Sequence, residues 1–288
     1  MEILSLLQTS PTALAITTFV FSLLVGSFLN VIILRYPKRL HYQWTRDCKE
    51  HLGEPFDEPA PPGIVFERSR CPHCGAGLKP WHNIPLIGQL ALHGRCANCQ
   101  GKIAHRYWMV ELLTAILSTL VVLKFGWSAQ SLAALILTWW LIAIAFIDMD
   151  TMLIPDQLSL PLVWLGLVVN LNGLFVPLRE AVIGAVLGYL ILWSVFHLFR
   201  LLTGKEGMGY GDFKLLAAAG AWLGPKALLL VLVISSVAGA IIGIAQILLA
   251  RQKKSQPIPF GPYLAIGTWV ALMYGDQLLD WYLHSTGF

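Results

Sequence analysis

An all-α polytopic membrane protein, with about eight transmembrane helices and a polar zinc-binding insert after the first, is what this sequence predicts. Three observations carry that prediction. The 288 residues are 56% hydrophobic and only 12% charged, with a mean hydropathy of +0.66, whereas a soluble domain would be about 25% charged. The charge is also concentrated, because residues 35–106 hold 17 of the 36 charged side chains. Outside that stretch, uncharged apolar runs recur, most of them near the ~20 residues that a helix needs to cross a bilayer. A disordered chain and a water-soluble globule are both excluded. The net charge of +4 bears on membrane topology rather than on nucleic acid, since the basic residues are spread through loops.

The elements follow in order. Leu14–Leu34 is an uncharged run of 21 residues and predicts a first span, so residues 1–34 are an N-terminal anchor. A cleaved signal peptide would carry basic residues before its apolar run. Here Glu2 precedes the run, while Arg35, Lys38 and Arg39 follow it. Residues 35–106 form a polar domain, in which the Pro-rich acidic stretch 50–63 reads as loop. Residues 107–288 are the membrane-embedded core, with apolar segments at 107–124, 131–147, 157–176, 181–199, 213–224, 227–250 and 260–275.

Segment 213–224 rises only about 18 Å as helix and on length alone could be re-entrant. Charge bias decides for crossing. With eight spans, one side collects 17 of the 20 Lys and Arg residues, and only Lys124, Arg179 and Lys226 lie opposite. The positive-inside rule makes that side cytoplasmic and places both termini outside. Without a crossing at 213–224, the Arg251/Lys253/Lys254 cluster would face outward. Small residues four apart (Gly184/Gly188, Gly220/Gly224, Gly239/Gly243) predict close helix–helix approach, and Gly26, Ser27 and Asn30 predict the same within the first span.

Four of the five cysteines form two knuckles, Cys71-Pro-His-Cys74 and Cys96-Ala-Asn-Cys99. Paired CxxC knuckles bring four thiolates around one tetrahedral ion, for which Zn²⁺ is the usual occupant. The competing reading is a pair of redox motifs. No thioredoxin-like βαβ pattern surrounds these cysteines, and a cytoplasmic location favours metal over disulfides. Four thiolates leave no open coordination position, so the ion is expected to be structural. His73, His82 and His93 read as surface or supporting residues, and Cys48 as a spectator thiol.

Acids are few in the membrane core and expensive there. Asp148 ends the third span, and Asp212 opens the sixth after Gly207-Met-Gly-Tyr-Gly211. In the eight-span topology both lie at the cytoplasmic rim. Two neighbouring carboxylates at one depth are what a hydrolase dyad needs, one holding a proton while the other activates water. Plain alternatives stand beside that reading. Asp148 and Asp150 at a span end are compatible with simple solvation, Asp156 after Pro155 with a helix cap, and the glycines before Asp212 with an ordinary turn. A nucleotide loop is disfavoured, because GMGYGD lacks the GxGxxG spacing and follows no strand.

Taken together, these pieces resemble the bifunctional type IV prepilin peptidases. The resemblance runs through Val25-Gly-Ser-Phe-Leu-Asn30 with Arg35-Tyr-Pro37, both knuckles, and Arg106-Tyr107 with Val110-Glu111. It continues in Ile147-Asp-Met-Asp-Thr-Met-Leu-Ile-Pro-Asp156, in Gly204-Lys-Glu-Gly-Met-Gly-Tyr-Gly-Asp-Phe-Lys214 and in Pro257-Ile-Pro-Phe-Gly-Pro262. It departs at Trp108, where the family often has proline. The resemblance implies an aspartic endopeptidase of the bacterial inner membrane whose catalytic pair is Asp148 and Asp212. Such an enzyme cleaves the leader of type IV prepilins and type II secretion pseudopilins, then methylates the new N-terminus with S-adenosylmethionine. Membrane lipid is its other partner. No dinucleotide-type fingerprint is present, so residues contacting S-adenosylmethionine cannot be assigned from spacing; the polar insert and Glu111 are candidates. A zinc-regulated transporter would usually show repeat symmetry between halves, and this insert has no second copy. A non-enzymatic pilus or secretion assembly factor would tolerate loss of both aspartates.

Overall fold

Backbone N–H and C=O groups cannot be left unpaired in hydrocarbon, and the described residues form helices and no strand. The computed structural model describes residues 2–71, 73–248 and 258–286. The Arg251/Lys253/Lys254 cluster, the end of segment 227–250 and Pro257 lie outside them. The chain divides into two units, Met1–Trp127 and Ser128–Phe288.

The first unit holds α1 (Glu2–Thr9), α2 (Pro11–Leu52), the short α3 (Ile87–Ala91) and α4 (Arg106–Phe125). Helix α2 begins under a cap in which the Ala13 N–H donates to Ser10 Oγ, and it ends at Gly53 in the left-handed conformation (φ 69°). It runs unbroken for 42 residues through Pro37. At 1.5 Å per residue that is about 63 Å, roughly twice the hydrocarbon thickness. The change from apolar to charged residues at Arg35 is therefore a change of surroundings and not of secondary structure. Beyond it, the expected Pro-rich loop runs back along the helix and is clamped to it. Arg35 donates to the carbonyls of Gly63, Glu67 and Arg68, Arg39 to that of Pro61, and the Tyr42 hydroxyl to that of Glu58.

Helices α2 and α4 pack together through the small residues of the first span. A β-carbon on Gly26 would lie 2.7 Å from the Glu111 Cα, and Asn30 Nδ2 donates to the Tyr107 carbonyl at 2.9 Å.

The second unit is built from α5 (Ala129–Thr151), α6 (Asp156–Val169), α7 (Leu178–Thr203), α8 (Tyr210–Leu223), α9 (Pro225–Leu248) and α10 (Gly261–Thr286). Helix α8 is the core, with every residue from Phe213 to Trp222 buried except Lys214. A helix apolar all round is an interior helix. Its neighbour α7 exposes Val182, Val186 and Leu190 on the far side, the surface expected to meet lipid. Glycines allow α7 and α8 to touch backbone to backbone: Gly184 meets Gly220, and Gly188 meets the Leu216 carbonyl. At the other end of α8, buried Asn170 donates to the carbonyls of Ala221 and Trp222 and accepts the N–H groups of Phe175 and Val176.

Among the described residues five helices, α2, α4, α5, α7 and α9, are long and apolar enough to cross a bilayer. Helices α6 and α8 have 14 residues each, a rise of about 21 Å.

Candidate active site and metal centre

The two cysteine knuckles are built on one backbone plan, repeated 25 residues later. In the first, the Cys71 N–H donates to Ala76 O, the Gly75 N–H to Cys71 O and the Leu78 N–H to Ser69 O. In the second, the Cys96 N–H donates to Gly101 O, the Gln100 N–H to Cys96 O and the Ile103 N–H to Gly94 O. An antiparallel bridge closes each, Arg70 to Gly77 and Arg95 to Lys102. The turn needs a positive φ after the second cysteine, which Gly75 supplies at 71° and Gln100 at 57°.

The plan aims all four thiols inward, and the sulfurs of Cys71, Cys74, Cys96 and Cys99 lie within 4.8 Å of one another. The Cys71–Cys99 separation is 3.8 Å. A tetrahedron with Zn–S bonds of 2.3 Å has edges of about 3.8 Å, so the donor set fits that ion. Hydrogen bonds from the Ala76 backbone and the Asn98 side chain hold the Cys74 thiol well below its usual value, at about 6. Those from the Cys99 and Asn98 backbone lower Cys96 as well. His73 packs across to the second knuckle, its Nε2 3.3 Å from the Lys102 carbonyl oxygen. Cys48 is exposed on α2, apart from the cluster.

Against the knuckles, within the first unit, lies a cavity of about 280 Å³. Glu111 of α4 lines it and is 8% exposed. Its Oε2 accepts the Leu86 N–H at 3.0 Å. Among the described residues no Lys, Arg or His forms an ion pair with it.

In the second unit, Asp148 lies one turn before the end of α5 and Asp212 in the first turn of α8, 5% and 7% exposed. The two carboxylates are within electrostatic reach of each other. Asp148 Oδ2 accepts the Gly261 N–H, at the N-terminus of α10, at 2.9 Å, where a helix dipole favours negative charge. Asp212 Oδ1 is buried and has no hydrogen-bond partner among the described residues. Ile154 seats both sides of this centre. A β-carbon on Gly211 would lie 2.6 Å from Ile154 Cβ, and one on Gly261 would lie 2.9 Å from Ile154 Cδ1 and 2.7 Å from Asp148 Oδ2.

The other acids separate from the pair. Asp150 is exposed. Asp156 is not a cap: Pro155 holds the cap position, and Asp156 pairs with Lys214 at 2.5 Å. Gly261 and Ile154 were not singled out by sequence reasoning; their traces were the Phe260-Gly-Pro262 motif for the one and the stretch from Ile147 to Asp156 for the other.

The comparisons with known proteins follow the same division. Residues 20–125 match the bacterial peptidase A24 N-terminal domain, and residues 135–244 match the type IV leader peptidase family. A prepilin leader peptidase/N-methyltransferase of Pseudomonas aeruginosa is 50% identical over 100% of both chains. Proteins with the same name from Aeromonas hydrophila (55% identical, 92% of both chains) and Neisseria gonorrhoeae (46%, over 95% of this chain and 96% of that one) are similarly close. No solved structure matches significantly. With half of its residues identical to a relative matched from end to end, the chain belongs to the type IV leader peptidase family.

Proposed function

We propose that this protein cleaves the leader from type IV prepilins and type II secretion pseudopilins, and then N-methylates the residue that cleavage exposes. The observation that carries the first activity is the buried pair Asp148 and Asp212, with the Gly261 N–H on the former. Neighbouring carboxylates share a proton more readily than they both ionise. The ionised member takes a proton from water as that water attacks the scissile carbonyl, and the protonated member polarises the carbonyl oxygen. Collapse of the adduct breaks the C–N bond, and the leaving amine gains the proton.

Residues 1–34 anchor the chain, 35–106 form the metal-bearing domain, and 107–288 carry the peptidase. Zn²⁺ held by Cys71, Cys74, Cys96 and Cys99 is structural, since four thiolates leave it no position for substrate. Eight spans in the bacterial inner membrane put the zinc domain and both aspartates on the cytoplasmic side, where a basic leader resides. When bound, S-adenosylmethionine supplies a methyl group to the freed amine, leaving as S-adenosylhomocysteine while the amine sheds one proton. Incubating the purified protein with a prepilin and weighing the products tests the whole reading. A leader-less product should appear in either case, heavier by about one CH₂ only when S-adenosylmethionine is present. Full-length prepilin throughout, or leader-less product from an Asp148→Asn or Asp212→Asn variant, would overturn it.

A further inference from the structure

We propose that the cavity of the first unit, between α2, α4 and the paired knuckles, is the site of the sulfonium methyl donor, with Glu111 as the counter-charge to its cationic sulfur. The proposal deepens the methyltransferase reading above and rests on it.

The first support is electrostatic. As a carboxylate, a group this deeply buried, with one neutral hydrogen-bond donor and no ion pair among the described residues, is strongly disfavoured, so it keeps its proton until a cation compensates the charge. It lines an open volume near the lower end of small-molecule sites, which run to roughly 300–1,000 Å³. A cation entering that volume supplies the missing charge.

The second support is conformational. Leu86, whose N–H reaches Glu111, has φ 59° and ψ −50°, and the Ile87 N–H donates to the Pro85 carbonyl at 2.6 Å. This is a γ-turn of the rare, strained kind. A leucine held there is strain of the sort found at functional sites. Its effect is to aim a backbone donor at one Glu111 oxygen.

The third support is the composition of the walls. Val31, Leu34 and Ile103 offer an apolar surface suited to a purine ring, while Arg70 and Lys102 offer charge for a carboxylate. A sulfonium donor carries an adenine, a cationic sulfur and an amino-acid carboxylate. Nucleotides that carry phosphates share the adenine but bring negative charge toward Glu111.

Equilibrium binding to the purified full-length protein in lipid nanodiscs tests the assignment. The probes are S-adenosylmethionine, its neutral-sulfur product S-adenosylhomocysteine, and ATP. Loss of a paired buried charge changes affinity roughly tenfold or more, so the unaltered protein should prefer the sulfonium over the neutral thioether by that factor and reject ATP. Glu111→Gln should collapse the preference, weakening the sulfonium while changing the thioether little. A preference that survives Glu111→Gln, or ATP bound as well as the sulfonium, overturns the site but leaves the methyltransferase reading standing. No binding of either adenosyl compound to the unaltered protein overturns both. Should the variant fail to fold, photo-crosslinking of labelled S-adenosylmethionine to the unaltered chain decides. Label within 27–35 or 102–111 supports the site, and label within 128–288 overturns it.

Discussion

Gly261 donates its backbone N–H to Asp148 across 113 positions of sequence, at 2.9 Å. The contact brings the start of α10 onto the end of α5, and it leaves no room for a side chain. Gly261→Ala would press a methyl group 2.7 Å from the carboxylate oxygen it now binds. Overpacking of this kind costs about 1–3 kcal/mol. We expect prepilin cleavage to fall at least tenfold, a 1.4 kcal/mol effect per decade, measured as initial rate by gel densitometry. A rate within twofold of the unaltered protein would refute a role for this contact.

Asp148→Asn and Asp212→Asn should each abolish cleavage, whereas Asp150→Asn should retain most of it. Successive helical positions turn by about 100°, so Asp150 faces away from Asp148, in keeping with its exposure. Prepilin processing by the three variants gives the ranking, and an essential Asp150 beside a dispensable Asp148 would reverse the assignment. The two inactive variants should still methylate a pilin supplied already cleaved, because an α-amino group of pKa about 7.7–8.0 needs no carboxylate pair to deprotonate near neutrality. Mass spectrometry of that substrate reads the gain directly.

One zinc ion per chain is expected by elemental analysis of protein purified without chelator. Cys96→Ser should reduce that content toward zero, because a tetrathiolate site contributes folding free energy through its metal. Hydrogen exchange should accelerate across 69–79 and 94–104 together, since both knuckles close on the same cluster. Acceleration confined to 94–104 would show two independent turns instead.

Asn170→Ala should lower stability without touching chemistry. Its amide donates to two carbonyls and accepts two N–H groups in a fully buried position. Leaving such groups unpaired costs about 1–3 kcal/mol each. A lower unfolding temperature, with the cleavage rate at low temperature preserved, is the expected result. By contrast, Asp156→Asn removes a pair whose carboxylate is half exposed and should shift stability by less than about 1 kcal/mol.

The helical class, the knuckles and the glycine face between α7 and α8 were legible because each is written in local spacing, whereas Gly239 and Gly243 meet only the side chains of Tyr263 and Ile258. CxxC geometry and Gly-x-x-x-Gly pairs report what a few adjacent residues can do. Three other features were not. Helix α2 passes Arg35 without interruption, because hydropathy marks where the lipid ends and says nothing of where hydrogen bonding ends. The hold of Gly261 on Asp148 depends on a long-range meeting of two helix termini. The kinship of the knuckles left only Arg70-Cys71 and Arg95-Cys96 as a trace, because Gln100 standing where the first copy has Gly75 disguised the shared turn.

The continuity of α2 gives the first unit a shaft. Everything beyond Arg35 is keyed to the rotation of the buried part of the same helix, and the loop is clipped to it by Arg35 and Arg39. One residue inserted between Ile33 and Arg35 would turn the distal half by about 100° and advance it 1.5 Å. The arginine clips and the cavity-lining residues of α2 beyond the insertion would then swing to another side of the axis. Seven residues, near two full turns, would restore the facing at a new height. Length changes in this helix should therefore be tolerated in steps of its own pitch, a gearing that point substitutions never reveal.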